Sequence, residues 1–195
     1  MELVLVAFLF AMFVGIPMGI YSAKKNGKML DHATRFFSIG AVSLPTFWVA
    51  MVFQLVFYRI LNWLPLGGRM SINASLLYEI PNVTGMLIID CILTGSWELL
   101  GDAFVHIIMP GFTIALYPIG LVARMTRSAL LEILNEDYIT ASKSYGIREG
   151  KVLWRYALKN SLGATATVVA LSMGYSLTNT FLTETIFSWP GLGSY

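Results

Sequence analysis

Four long apolar stretches, separated by polar and charged connections, organise this chain. A helix that crosses lipid needs about 20 mostly apolar residues. The first candidate runs from Leu3 to Tyr21 and the second from Phe36 to Ile60. The third covers Ile107 to Val122, with a helical pattern that continues to Leu134. The fourth, Leu162 to Leu182, is poorer in large apolar residues and rich in Gly, Ala, Ser and Thr. Small residues let helix backbones approach closely in lipid, so this stretch is expected to pack inside a bundle. Pro17, Pro45, Pro110 and Pro118 lie in or beside the stretches. Neighbouring helices in lipid can satisfy the carbonyls a proline frees, so kinks are expected rather than ends. The predicted architecture is an all-α membrane protein, a polytopic helical bundle with about four spans.

The connection over residues 61–106 reads differently. "NWLPLGGRM" is turn-rich, and "GMLIIDCILTGSWELLGDAFVH" alternates short apolar runs with Asp, Glu, Gly and Ser. Ile88, Ile89, Ile92 and Leu93 fall at helical spacing, but the run is too short to span. Short helices lying at the membrane surface or capping the bundle are expected. Asn73-Ala74-Ser75 and Asn82-Val83-Thr84 match the glycosylation pattern and are read as chance.

Composition agrees with a lipid solvent. Of the 195 residues, 56% are hydrophobic and 12% charged, against about one quarter charged in soluble domains. The net charge of +2 does not point to a nucleic-acid partner. One cysteine, Cys91, excludes an internal disulfide framework and a Cys-rich metal site. A cleaved leader would place basic residues before its apolar run. Here Glu2 comes first and Lys24, Lys25 and Lys28 follow, so the first stretch is read as a span.

Charge also orients the chain. Of the 13 basic residues, only Arg59 and Arg69 fall outside the first and third connections. The positive-inside rule puts residues 22–35 and 123–161 in the cytoplasm, and both ends of this chain outside.

Catalytic chemistry is hard to find. "GIREGKV", Gly146 to Val152, approximates a phosphate-binding loop, but only three residues separate its glycines and Val152 replaces the hydroxyl that would meet magnesium. His32 and His106 fall on opposite sides of the membrane in this topology. No HExxH or GxSxG pattern occurs. Glu2, Arg59 and Glu184 lie near span ends, and no charge sits mid-span. A proton or ion relay would need such groups near the midplane, which argues against an ion-coupled transporter and a membrane-embedded hydrolase. No cofactor or metal site is expected.

The remaining feature is "DYITASKSYGIREGKVLWRYALKNSL", Asp137 to Leu162, which holds Lys143, Arg148, Lys151, Arg155 and Lys159. Asn135 or Asp137 can cap a helix that starts near Tyr138. Gly146 can close it, because glycine adopts the left-handed conformation at low cost. A second helix follows, with Arg148, Lys151, Arg155 and Lys159 along one face and Val152, Leu153, Tyr156 and Ala157 along a neighbouring one. Three readings stay open on the residues alone: anchoring to lipid phosphates, an interfacial helix, and docking of a cytoplasmic partner. Ala141, Ser142 and Ser144, beside Tyr138 and Tyr145, suggest a short helix seated in a groove.

The stretch resembles the cytoplasmic EAA loop of ABC-transporter permeases. In the general pattern E-A-A is followed by three residues and Gly. Here that is Thr140-Ala141-Ser142, Lys143, Ser144, Tyr145 and Gly146, so only Ala and Gly match. "DYITASKSYG…RYALKNSL" is closer to the oligopeptide/dipeptide/nickel class, in which Thr commonly replaces Glu and "ALKN" or "ALRN" replaces the general ending. "GIPMGI", "SLPTFW", "NWLPLGG", "IIMPGFTIAL", "ARMTRSALLEIL" and "ETIFSWPGLGSY" agree in the same order.

The resemblance implies a single permease domain over residues 1–195, of the type I importer kind. Its spans would lie at approximately 3–21, 36–60, 107–134 and 162–182, its outer connection at 61–106 and its EAA-type loop at 135–161. It implies an inner-membrane, multi-pass subunit that catalyses nothing itself. Its partners would be a second permease, two cytoplasmic ATP-binding subunits, an extracytoplasmic solute-binding protein and the bilayer. Asp137, Tyr138, Thr140, Ala141, Ser142, Lys143, Gly146 and Arg155 are the residues implied in ATPase coupling. Peptides, nickel chelates and oligosaccharides are all cargo of similar permeases. Against that family the chain would lack a span before Leu3 and one after the "WPGLG" segment. The rival reading is a small membrane-anchoring or scaffold protein whose basic loop meets lipid.

Overall fold

The computed structural model describes residues 1–77 and 84–191. Eight helical elements occur among them. They are α1 (Glu2–Lys24), α2 (Met29–Ser43), α3 (Thr46–Ile60), α4 (Ile72–Leu77), α5 (Leu87–Thr94), α6 (Trp97–Leu134), α7 (Asp137–Ser144) and α8 (residues 149–186). Chain contacts divide them into two compact units. One comprises Met1–Ala7, Leu44–Ala115 and the chain from Ser176; the other comprises Phe8–Ser43 and Leu116–Tyr175.

Among the described residues α1 and α6 are each long and apolar enough to cross a membrane. Proline treats three of the predicted spans differently. In α1, Pro17 offers no N–H to the preceding turn, and residues Ala11–Gly15 widen into π geometry without ending the helix. In α6 the helix runs through Pro110 and Pro118. In the second stretch, 36–60, the expected continuous helix is instead two. Helix α2 ends at Ser43, and Pro45 sits in extended conformation (ψ 133°) ahead of α3. Proline pushes the residue before it out of the α region and suits the start of a helix rather than its middle.

Helix α6 also starts ten residues before the predicted third span, because no proline stands between Trp97 and His106 and Gly101, by itself, costs a helix too little to end it. Gly95 (φ +72°) closes α5, and α6 begins two residues later. Helix α8 is long enough to span, but its Ser, Thr and Gly content keeps it below the hydropathy of α1 and α6. Its polar side chains lie inward: Ser161, Thr165, Ser172, Ser176, Thr180 and Thr183 are buried at spacings of three, four or seven.

In the first unit, Ala50, Met109 and Phe187 form a core with Phe53, Phe57 and Ile186 around it. The amide of Gln54 donates to the carbonyls of Leu66 and Ile186 at 3.0 and 3.1 Å. The connection ahead of α6 folds onto the start of that helix through Ala74, Leu87, Cys91, Leu99 and Ala103. Asp90 accepts from Thr84 N (2.8 Å), Thr84 Oγ1 (2.6 Å) and Gly85 N (3.1 Å), and so caps the turn before α5. On α5 the buried face is Leu87, Asp90 and Cys91, whereas Ile89, Ile92 and Leu93 are exposed. The apolar spacing in this segment marks a helix, but not its inward face. Glu79 and the Asn82 pattern lie outside the described residues.

In the second unit α1 packs on α6 through glycines four residues apart. A Cβ on Gly19 would come within 2.6 Å of Thr126 Cβ and 2.7 Å of the Ala123 carbonyl, and one on Gly15 within 3.1 Å of Val122. "GIPMG" is therefore a small-xxx-small contact. Gly120 plays the same part between α6 and α2, facing the Ser38 carbonyl.

Candidate functional site

The loop between α6 and α8 carries the predicted site. Helix α7 spans Asp137–Ser144, one residue earlier than expected. Its N-cap is Glu136, in extended conformation and without a side-chain cap. Neither Asn135 nor Asp137 caps it; Asp137 instead occupies the first turn, where its charge favours the helix N-terminus. The C-terminal reading holds. Gly146 has φ +75°, and Tyr145 N and Gly146 N close the end on the carbonyls of Ala141 (3.0 Å) and Lys143 (2.9 Å).

One residue anchors α7 by burial. Ile139 is fully buried in a cluster with Ile20, Ala23, Leu130, Val152, Leu153 and Ala157. A second tie is the Asn160 amide, which donates to Tyr138 Oη at 2.8 Å. The hydroxyls of Ser142 and Ser144 turn back onto the carbonyls of Tyr138 and Thr140 at 2.7 and 3.1 Å. The rest of α7 faces outward. Asp137, Tyr138, Thr140, Ala141, Lys143 and Gly146 are exposed, Ser142 is half-buried, and Tyr145 is 87% exposed. The groove inferred for the small residues is not formed by the described residues: Ala141 and Ser144 present an open face.

Arg155 belongs to the helical segment that follows α7. The helix predicted to follow Gly146 is not separate but forms the first turns of α8, because no proline stands between Glu149 and Leu158 and Gly150 falls in the first turn. Residues Val152–Ala157 adopt π geometry. That wider turn alters the register assumed for Arg148, Lys151, Arg155 and Lys159, although all four remain exposed. Val152, Leu153 and Ala157 are buried and Tyr156 half-buried, as the apolar face required. Among the described residues Arg155 makes no side-chain hydrogen bond or ion pair. A cavity of about 270 Å³ beside α7 is lined in part by Lys24, Leu134, Lys143 and Glu149.

Sequence reasoning missed the polar tie that fixes the first basic connection. Asp31 accepts from Ser22 Oγ (2.6 Å), Gly27 N (3.0 Å), Arg127 Nε (2.5 Å) and Arg127 Nη2 (2.9 Å). Arg127 also donates to Asn26 Oδ1 at 2.9 Å. The carboxylate is buried, so this two-pronged, charge-assisted pair holds the Lys25–Lys28 turn against α6. The available signal was Asp31 itself, the one acid between Glu2 and Glu79.

Comparison with known proteins decides the family. A family model described as binding-protein-dependent transport system inner membrane component matches residues 15–195. The chain belongs to this family. It is a multi-pass, all-α membrane protein, and the permease resemblance seen in the loop holds along the chain. The chain is 39% identical over 194 residues to a dipeptide transport system permease protein of Alkalihalophilus pseudofirmus, covering 100% of this chain and 57% of that protein. It is 38% identical over 195 residues to a di/tripeptide transport system permease protein of Pseudomonas aeruginosa, covering 100% and 57%. A probable D,D-dipeptide transport system permease protein of Escherichia coli is 40% identical over 195 residues, covering 100% and 56%. The chain thus spans a little over half the length of the curated relatives it matches. The last four residues of the "WPGLGSY" segment lie outside the described residues.

Proposed function

We propose that this chain forms part of the solute pathway of an ATP-driven importer for short peptides, and that α7 is the element through which cytoplasmic ATPases drive it. The observation that carries this reading is the form of α7. It is a short helix set between two long apolar-rich helices and closed by a left-handed glycine, with one buried anchor and an otherwise open face. A lipid anchor needs charge but no such helix. The family implies a second permease, two ATP-binding subunits and an external solute-binding protein as partners. The peptide relatives favour peptide cargo over nickel or oligosaccharide. The distribution of Lys and Arg supports an orientation with α7 in the cytoplasm and both ends of this chain outside.

Closure of the ATPases would push on the face formed by Asp137, Thr140, Ala141, Ser142 and Lys143, with Arg155 on the neighbouring turn. Ile139 and the Tyr138–Asn160 bond pass that push to the packed helices. The pathway would then shift between inward and outward access, with ATP binding biasing the population. The part of this chain in that cycle would be mechanical.

The test uses the full-length protein in its assembled transporter. Ala141→Trp covers the open face with bulk, and Gly146→Val forbids the left-handed turn. The expected outcome is loss of ATPase retention at moderate salt and of ATP-dependent peptide uptake, with normal membrane insertion. Survival of both would refute the coupling role, and a chain that retains lipid but no ATPase would favour the scaffold reading.

A further inference from the structure

A second basic feature lies away from α7. A cavity of about 300 Å³ between α2 and α6 is lined by Thr34, Arg35, Ser38, Arg124, Arg127 and Ser128, among others. Its charge is unbalanced. Arg127 is neutralised by Asp31, but Arg35 and Arg124 are exposed and make no ion pair or side-chain hydrogen bond among the described residues. No carboxylate lines the cavity. Ser38 is buried, and its hydroxyl has no hydrogen-bond partner. A buried hydroxyl without a partner is costly to leave so, and an acceptor entering the cavity would relieve it. Beside the arginines the surface turns apolar: Ile39, on the cavity wall, is 59% exposed, and Phe36 is 83% exposed.

We propose that this cavity binds the phosphate of an anionic phospholipid, with its acyl chains along Phe36 and Ile39. The guanidinium forks of Arg35 and Arg124 match phosphate oxygens in shape and charge, and Thr34, Ser38 and Ser128 supply hydroxyl donors. A free phosphate would use the arginines but leave the apolar flank uncovered, so the lipid is the source that accounts for both parts. Basic pockets between membrane helices at the cytoplasmic side suit such headgroups. The leaflet rests on the orientation proposed above; the binding chemistry does not.

The test is lipid retention by the full-length transporter, purified and examined by native mass spectrometry while phosphatidylglycerol or phosphatidylcholine is titrated in. The wild type should hold phosphatidylglycerol in preference to phosphatidylcholine. Arg35→Gln and Arg124→Gln should each weaken retention roughly fivefold, the effect of one basic residue near an anionic surface. Both side chains are exposed, so the variants should assemble normally. Equal retention of the two lipids by the wild type overturns the proposal whatever the variants do. So does unchanged phosphatidylglycerol retention in the double variant. Inorganic phosphate is titrated as a separate arm, and binding there without lipid preference overturns the lipid source. Because lipid is supplied on both sides and neither uptake nor ATPase is read, failure here is distinct from failure of the coupling reading.

Discussion

Ile139→Ala isolates the anchor of α7 from its docking face. Ile139 is the one buried residue in a helix of eight. So short a helix does not persist in water without tertiary support. Truncating a fully buried isoleucine to alanine costs about 2–5 kcal/mol. The loss falls on the seating of α7, because Leu130, Val152 and Ala157 still meet one another in the same cluster. Even about 2 kcal/mol lowers the ratio of seated to unseated helix roughly thirtyfold. The Tyr138–Asn160 bond, exposed to solvent, should recover little of this. The assay is amide hydrogen exchange on the assembled full-length transporter, read together with peptide uptake. Backbone amides at 139–146 should exchange at least tenfold faster than in the wild type, while those of α6 stay protected. Uptake should fall although every residue of the outward face is intact. Wild-type exchange at 139–146 together with undiminished uptake would show that α7 is held by something other than Ile139.

Three further outcomes follow from the packing. Gly19→Leu should lower the melting temperature of the detergent-solubilised protein or abolish its assembly, because Thr126 and the Ala123 carbonyl occupy the space a side chain needs; Gly40→Leu, with nothing within 4 Å, should be tolerated. Asp31→Asn leaves Arg127, whose side chain is 19% exposed, without its carboxylate; a loss of about 3 kcal/mol is expected in chemical denaturation. Arg127→Lys, with Asp31 in place, should keep only part of the stability that the pair confers, since an ammonium cannot make the two-pronged contact. Cys91 should resist maleimide in the folded protein and react on denaturation: burial, reinforced by the nearby charges of Asp90 and Glu2, pushes its thiol up, and little thiolate forms at neutral pH.

The apolar stretches determined by themselves that this is an all-helical membrane chain, because only a helix satisfies its own backbone in lipid. The loop was legible for the same kind of reason. Gly146 is needed where the backbone turns left-handed, and the Val152, Leu153 and Ala157 spacing finds its buried side. Other features had no local signal. Whether a proline bends, widens or ends a helix depends on its neighbours, so Pro17, Pro110 and Pro118 stay inside helices while Pro45 opens one. Hydrophobicity names the face toward lipid as readily as the face toward protein. It therefore leaves the inward side of α5 undecided, and the polar stripe of α8 shows the reverse case, with hydroxyls buried and Leu171 and Phe181 exposed. The Asp31–Arg127 pair joins residues 96 apart in sequence. Ile139 becomes an anchor only once α1, α6 and α8 surround it. Spacing along a chain fixes which residues share a helix face, but what meets that face is decided when the helices pack.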